Sequence, residues 1–380
     1  MKPKIALIVD TDNWAFYNRA NLIKERLSEY FDFKIIPIVA IDQNILQVIL
    51  MIQDCDLVHF FWRGFLFSLD NENYFFKRNQ IDVNKFIEEK FSKIVKTTCI
   101  PDHALLDLEN IDKTKKVLNF VDDYYVMSRK LFNIYDKLEC RKPSTEIMGG
   151  INTDLFKPDN LERFNLKNLE KRKIIIGWAG NSKWGDWNGT SGTDVKGVDT
   201  ILIPAINELK KEGYNVELKL ADRNVKHIPI EQMSDFYNKI DVYVCVSKEE
   251  GGPNTILESM SCGIPIISTN VGFVEEVLGE RQSRFIINER NIENLKIKLK
   301  NLLDNKKQFK ELSEENLKQI KKFDYDVIMK QFKYFFEKNL KRGEYNEKWF
   351  KNWNCWTRVC WNAISNCFFE KIWSSRIWFK

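Results

Sequence analysis

Glu250-Gly251-Gly252-Pro253-Asn254-Thr255-Ile256-Leu257-Glu258-Ser259-Met260-Ser261-Cys262-Gly263-Ile264-Pro265 follows an apolar run that ends at Val246, and the architecture can be read outward from it. The run Asp241 to Val246 predicts a buried strand. Two glycines in the next loop allow close approach of the backbone to a ligand. Pro253 and Asn254 open a helix, where a missing N–H costs nothing. Gly263 ends that helix near Cys262, and Ile264 to Ser268 predicts the next strand. The free N–H groups at such a helix start, and its positive dipole end, suit a diphosphate. Open α/β sheets bind ligands at this carboxyl edge. Glu250 and Glu258 flank the predicted anion site. A carboxylate beside a diphosphate is tolerable where sugar hydroxyls donate to it, so Glu258 suits a ribose diol and Glu250 the hydroxyls of a transferred sugar.

The same alternation of apolar runs and amphipathic stretches extends in both directions. Strands are predicted at Lys4 to Val9, Phe33 to Val39, Asp56 to Phe61, Lys96 to Ile100 and Tyr124 to Met127. After a polar stretch from Lys157 to Arg172, read as the linker, strands restart at Ile174 to Trp178, Val216 to Ala221 and Phe285 to Ile287. Helices are predicted at Asn18 to Tyr30, Val198 to Lys211, Ser234 to Lys239, Ile292 to Leu303 and Lys307 to Lys321. A last amphipathic helix, Tyr325 to Leu340, is placed to cross back to the first domain. The expected organisation is a first domain over 1–160, a nucleotide-sugar domain over 161–324, a crossover helix over 325–348 and an atypical tail over 349–380.

Composition narrows the function classes. The 380 residues suffice for two domains, and 44% hydrophobic residues supply two cores. Lys and Arg number 59 against 54 Asp and Glu, and no basic stripe marks a nucleic-acid footprint. The apolar run at Ile5 ends at Asp10, so no secretory signal is expected there. No stretch approaches the ~18 apolar residues of a membrane span. Eight scattered cysteines without a C-x-x-C pair read as free thiols of a reducing cytosol. Three histidines are too few and too dispersed for a histidine-rich metal site.

The quoted stretch resembles the signature of the retaining glycosyltransferases of GT-B fold often called family 4, two glutamates separated by seven residues. The likeness rests on Glu250, Gly251, Pro253, Glu258, Met260, Cys262, Gly263 and Pro265, with Thr269 to Gly272 and Glu275 to Val277 following. It implies two Rossmann-like domains whose parallel sheets face each other across a cleft. Asp194-Val195-Lys196-Gly197 is similar to the segment whose lysine reaches the donor diphosphate. Ile151 to Pro158, Val126-Met127-Ser128 and Asp56-Leu57-Val58-His59 resemble further family segments. The resemblance implies Glu250, Lys196 and His103 as catalytic residues. It implies Glu258, Gly251, Gly252, Asn254, Thr255 and Gly180 as donor contacts, with Lys183 as a candidate substitute for a family arginine. Asp12, Trp14 and Arg19 stand in or near a first loop that lacks the family's double glycine and read either as the acceptor side or as a solvated turn capping a helix. His59 reads either as a site residue or as a core histidine. The implied substrates are a nucleotide-diphosphate sugar and a glycan or glycolipid acceptor, with no cofactor, no metal, no nucleic acid and a possible peripheral contact with the inner face of the membrane. The family carries an arginine after the glycine corresponding to Gly180, whereas Asn181 stands here. That departure keeps open an inactive sugar-nucleotide-binding protein, and a nucleotide-sugar epimerase is the other rival.

The tail from Asn352 to Lys380 has neither helical nor strand period, and it holds Trp353, Trp356, Trp361, Trp373 and Trp378. A tryptophan-rich segment at a membrane surface is one reading. Reverse translation offers another. Trp is encoded only by TGG, so each Trp followed by Asn or Thr reads GGA, glycine, one base later. With permitted codons, the shifted frame from Asn352 reads I-G-I-V-G-L-G-Y-V-G-M. That string contains G-x-G-x-x-G and resembles the phosphate loop of nucleotide-sugar dehydrogenases. The tail is therefore expected to be out-of-frame sequence.

Overall fold

The structure is a computed structural model that describes residues 1–12, 14–41, 44–69, 74–91, 93–102, 104–184 and 194–342. His103 and the tail from Asn352 lie outside the described residues. The first sheet has six strands: β1 (Lys4–Val9), β2 (Asp32–Pro37), β3 (Leu57–Phe60), β4 (Val95–Ile100), β5 (Asp123–Val126) and β6 (Thr145–Glu146). Their order is β2-β1-β3-β4-β5-β6. The second sheet has β7 (Ile174–Gly180), β8 (Val216–Asp222), β9 (Val242–Cys245), β10 (Ile266–Thr269) and β11 (Ile286–Ile287), in the order β11-β10-β9-β7-β8. The pairs β1–β2, β1–β3, β5–β6, β7–β8, β7–β9, β9–β10 and β10–β11 are all parallel. The chain is α/β with two Rossmann-like parallel sheets, as the alternation predicts.

The chain divides into two compact units. One comprises Met1–Phe60, Ser68–Thr97 and the segment from Lys333; the other comprises Phe61–Phe67 and Thr98–Phe332. In the first unit, β1 is buried from Ile5 to Val9. The last helix, over 325–342, brings Phe335 and Phe336 into this unit. Phe336 lies 5.9 Å from Phe31 and 6.2 Å from Phe33, ring centre to ring centre. The crossing back of the terminal helix thus has a packing cause, three phenylalanines closing one end of the core.

In the second unit, every residue of β9 and β10 is buried, as expected of central parallel strands covered on both faces. The polar stretch read as a linker is ordered. It carries a 3₁₀ turn at Leu161–Phe164 and a helix at Leu166–Glu170, whose Phe164 and Leu169 enter the second core. Their spacing of five residues is too short for periodicity to reveal. The predicted helix from Val198 to Lys211 begins as a π turn over Val198–Leu202 and becomes α-helical at Ile203–Lys211. Leu202 N–H donates to the Gly197 carbonyl at 2.9 Å, an i to i+5 bond. Pro204, which lacks an N–H, sits where the helix tightens. The helix Gln308–Gln319 is more than a solvated face: Phe309 and Leu312 are buried.

Strand order places the candidate site. Within the second sheet the direction of winding reverses between β7 and β9, with β8 on one side and β10 and β11 on the other. Ligands of open α/β sheets bind at the carboxyl ends of the strands flanking such a reversal. Those ends are Gly180 and Cys245, and the loop after Cys245 is the one that carries Glu250.

Candidate active site

The chain leaves β9 through buried Val246 and Ser247. Thr269, at the end of β10, donates its hydroxyl to the Ser247 carbonyl at 2.7 Å. Ser247 Oγ in turn donates to Oε1 of Glu250 at 2.7 Å. The same oxygen receives Nζ of Lys196 at 2.5 Å. These two side chains are 13% and 20% exposed, so the pair is shielded yet reachable. The indole of Trp184 covers the ammonium, 4.8 Å from the ring centre.

Lys196 is held by an unusual backbone. Asp194 lies in the left-handed region at φ 41°, and Gly197 follows at φ 73°. The Asp194 carboxylate accepts from the backbone N–H groups of Gly197, Val198 and Thr200 at 2.8, 3.2 and 2.7 Å, which holds its acidity strong despite burial. A Cβ on Gly197 would stand 2.6 Å from the Val246 carbonyl oxygen, so glycine is required for this segment to lie against the end of β9. Arg290 ties the two together. Its Nε donates to the Val246 carbonyl and its Nη2 to the Asp194 carbonyl, each at 2.7 Å. Sequence reading missed Arg290, which sits in an unremarkable polar turn; only the tertiary structure gives it its carbonyl partners.

The helix predicted after Pro253 spans Asn254–Ser261. Asn254 is exposed and Thr255 half-buried at its start. The two loop glycines serve protein contacts first. A Cβ on Gly251 would meet the Pro101 carbonyl oxygen at 2.2 Å, and one on Gly252 the Phe273 ring at 2.4 Å. What approaches these glycines is thus Pro101, just beyond β4, and Phe273.

Glu258 lies one helical face further in and is half-buried. Its Oε2 accepts the Tyr237 hydroxyl at 2.6 Å. Burial pushes its carboxyl up to about 7, opposed by that hydrogen bond. Tyr237 itself is fully buried, and loss of water raises its phenol well above 10.

Other sequence-predicted residues fall as follows. Gly180 ends β7, and Asn181 Oδ1 accepts the Lys183 backbone N–H at 3.0 Å. Lys183 Nζ is exposed and pairs with Asp199 at 3.7 Å. Asp12 and Trp14 are exposed around the start of the helix Ala15–Leu27, and Arg19 is half-buried within it. These three belong to the first unit, as does His59, and the other described candidates to the second. His59 is a core histidine. It is wholly buried, its Nδ1 is 3.0 Å from Thr97 Oγ1, and the rings of Phe335 and Phe336 stand beside it. Loss of water, with Arg19 nearby, lowers its pKa to about 3, so it is neutral.

Comparison with known proteins agrees with this geometry. Residues 195–319 match the family described as Glycosyl transferases group 1. The segment starts one residue before Lys196 and contains both glutamates. The chain is 27% identical over 183 residues to an uncharacterized glycosyltransferase of Methanocaldococcus jannaschii, covering 42% of this chain and 52% of that protein. It is 30% identical over 168 residues to the lipopolysaccharide core biosynthesis mannosyltransferase LpsB of Rhizobium meliloti, covering 38% and 46%. The matches span about half the length of these curated relatives. Among solved structures, sucrose-phosphate synthase from Thermosynechococcus elongatus superposes with a TM-score of 0.65 at 14% identity, over 89% of this chain and 99% of that one. HepE of Anabaena, in complex with UDP and glucose, gives 0.60 at 12% identity, over 88% and 100%. The fold is GT-B, and the likeness to the group 1 glycosyltransferases lies in residues 195–319.

Proposed function

We propose that this protein transfers a glycosyl group from a nucleotide-diphosphate sugar to a hydroxyl of a glycan or glycolipid, with retention at the anomeric carbon, in the assembly of a cell-surface polysaccharide or glycoconjugate. The observation that carries this reading is the Lys196–Glu250 pair beside the start of the helix Asn254–Ser261, at the β7/β9 reversal. A cation and free helix N–H groups there offset charge on a diphosphate, and a carboxylate there accepts from sugar hydroxyls. In the reaction the bond from the anomeric carbon to the diphosphate oxygen breaks. The acceptor oxygen bonds to that carbon, and its hydroxyl proton passes to the departing diphosphate oxygen. Charge grows on the diphosphate as the bond breaks, and Lys196 with the N–H groups of Asn254 and Thr255 stabilises it. Glu250 orients the sugar, and Glu258 takes the ribose diol. Gly251 and Gly252 give the loop its shape, while Gly180 and Lys183 border the donor from β7. Asp12, Trp14 and Arg19 serve the acceptor. No metal or cofactor enters this scheme.

The relatives support the cellular setting. LpsB is named for lipopolysaccharide core biosynthesis, and CapM of Staphylococcus aureus for capsular polysaccharide biosynthesis. HepE is known in complex with UDP-glucose. Among the described residues no helix is long and apolar enough to cross a membrane. On this reading the protein works at the cytoplasmic side, with peripheral contact to the membrane that holds the acceptor.

Incubation of the purified protein with a panel of sugar nucleotides tests the proposal. One donor should stabilise it thermally and release its sugar slowly to water, and proton NMR should show the released or transferred sugar with the donor's anomeric configuration. Binding without turnover of any donor, with a lipid-linked acceptor present, would leave the inactive-binder reading standing instead.

A further inference from the structure

Arg63, just beyond β3, is wholly buried. Its Nη2 donates to the Ala104 carbonyl. Its Nε and Nη1 find no hydrogen-bond partner among the described residues. The Asp102 carboxylate stands 3.9 Å from Nη1, an ion pair without a hydrogen bond, and the Tyr135 ring centre lies 5.6 Å from the guanidinium carbon. Burying a guanidinium with so few hydrogen bonds carries a desolvation cost, which its contacts with Ala104, Asp102 and Tyr135 offset only in part. The backbone just beyond Ala104 is strained. Leu105 lies at φ 61°, an outlier for a branched residue, and its carbonyl accepts Thr114 Oγ1 at 2.8 Å. Asp102 Oδ1 accepts the Ala104 N–H at 3.0 Å. Strain of this kind persists where surrounding structure over-determines it, and it clusters at functional sites.

The turn leads to the sugar-nucleotide site. A Cβ on Gly251 would come within 2.2 Å of the Pro101 carbonyl oxygen and 3.4 Å of Asp102 Cβ, so the start of this turn is the surface on which the residue next to Glu250 rests. We propose that Arg63 is a positioning residue of the donor site. By holding Asp102 and Ala104 it fixes the Pro101 carbonyl, which seats Gly251 and thereby sets the height of Glu250 against Lys196. Arg63 touches no substrate. The inference rests on the donor-site assignment of Glu250 but not on the identity of the sugar or the acceptor.

The test uses the full chain carrying Arg63→Met, Arg63→Lys or Asp102→Asn, with three measurements on each. Arg63→Met leaves the Ala104 carbonyl and the Asp102 carboxylate without their partner, so its melting temperature should fall, and turnover is read at a temperature where it stays folded. Its turnover on the best sugar nucleotide should fall by about tenfold or more with donor KM changed by less than about threefold, since displacement of a catalytic carboxylate affects the transition state most. Amide hydrogen exchange over 247–252 should quicken. Arg63→Lys should recover part of the turnover and part of the protection. Asp102→Asn, at a half-exposed position that tolerates change, should move both readouts in the same direction as Arg63→Met. Unchanged exchange over 247–252 in a folded Arg63→Met protein overturns the proposal, as does turnover lost only in proportion to unfolding. If Arg63→Met does not fold, unchanged exchange in Asp102→Asn overturns it equally. Exchange needs no transfer reaction, so a wild type that transfers no sugar sinks the proposed function while these data still decide the role of Arg63.

Discussion

Nζ of Lys196 lies 2.5 Å from Oε1 of Glu250, with Trp184 over the lysine and Ser247, three residues back in the same loop, donating to the glutamate. The two charges balance one another. On the proposed reading, a diphosphate competes with Glu250 for the ammonium, sugar hydroxyls compensate the carboxylate that is released, and donor binding is one exchange of partners.

The two members of this pair should respond differently to neutralisation. Glu250→Gln should keep the fold and lose transfer by roughly 2–4 kcal/mol of transition-state stabilisation, comparable to a lost charged hydrogen bond in a dry site. It should bind nucleoside diphosphate no worse than wild type, because it frees Lys196. Lys196→Ala should lose both affinity and turnover. Calorimetric titration with nucleoside diphosphate separates them, and normal binding by Lys196→Ala would pass the diphosphate role to Lys183 or another base.

Glu258 gives a pH dependence with a defined sign. Its carboxyl titrates near 7 in the folded chain against 4.5 ordinarily. Between those values the folded state holds a proton that the unfolded chain releases, so this group's contribution to stability falls as pH rises from about 4.5 to 7. Glu258→Gln should flatten that part of the profile in chemical denaturation. If the carboxylate accepts from the ribose diol, affinity for a sugar nucleotide should rise with pH through about 7 in wild type. It should stay level in Glu258→Gln. The phosphates of a sugar nucleotide do not titrate in this window, so an equal rise in both proteins would remove Glu258 from the ribose.

Gly251→Ala introduces a methyl carbon 2.2 Å from the Pro101 carbonyl oxygen, a distance that forces backbone to move. Turnover should drop on the order of a hundredfold, the usual consequence of a displacement of about 1 Å in a reacting site. The melting temperature should change little, because the loop surface and not a core is disturbed. Full activity in Gly251→Ala would show that the loop has slack.

Arg290→Met should resemble a weakened Lys196→Ala. It removes the ties to Val246 and Asp194 that press the lysine segment against β9. We expect a several-fold rise in donor KM, with a smaller fall in turnover. Kinetics indistinguishable from wild type would mean that Asp194 and Gly197 suffice alone.

Deleting Asn352 to Lys380 should leave transfer and melting temperature intact if the tail is out-of-frame sequence. The coding DNA gives a quicker answer: the frame shifted by one base should run open from Asn352 and supply the fourth glycine codon at Arg358-Val359. Early stop codons there would favour a membrane-surface role for the tryptophans.

Sequence alone determined the elements whose logic is local. The strand Lys4–Val9, the helix after Pro253 and its stop at Gly263 follow from apolar period, proline and glycine, forces that act within a few residues. The two glutamates were legible for the same reason, since loop and helix start are contiguous in the chain. Tertiary structure decided what depends on residues brought together from a distance. Only folding sets Lys196 against Glu250, 54 positions away, and gives Arg290 its carbonyl partners. It also assigns Gly251 to the Pro101 carbonyl and leaves Arg63 buried with two of its three guanidinium nitrogens lacking a hydrogen-bond partner among the described residues. His59, two-valued in sequence, became a core residue when Phe335 and Phe336 returned to cover it. Period and turn chemistry report the chain's local preferences; which side chain meets which across the sheets is fixed by packing, and packing is a property of the whole fold.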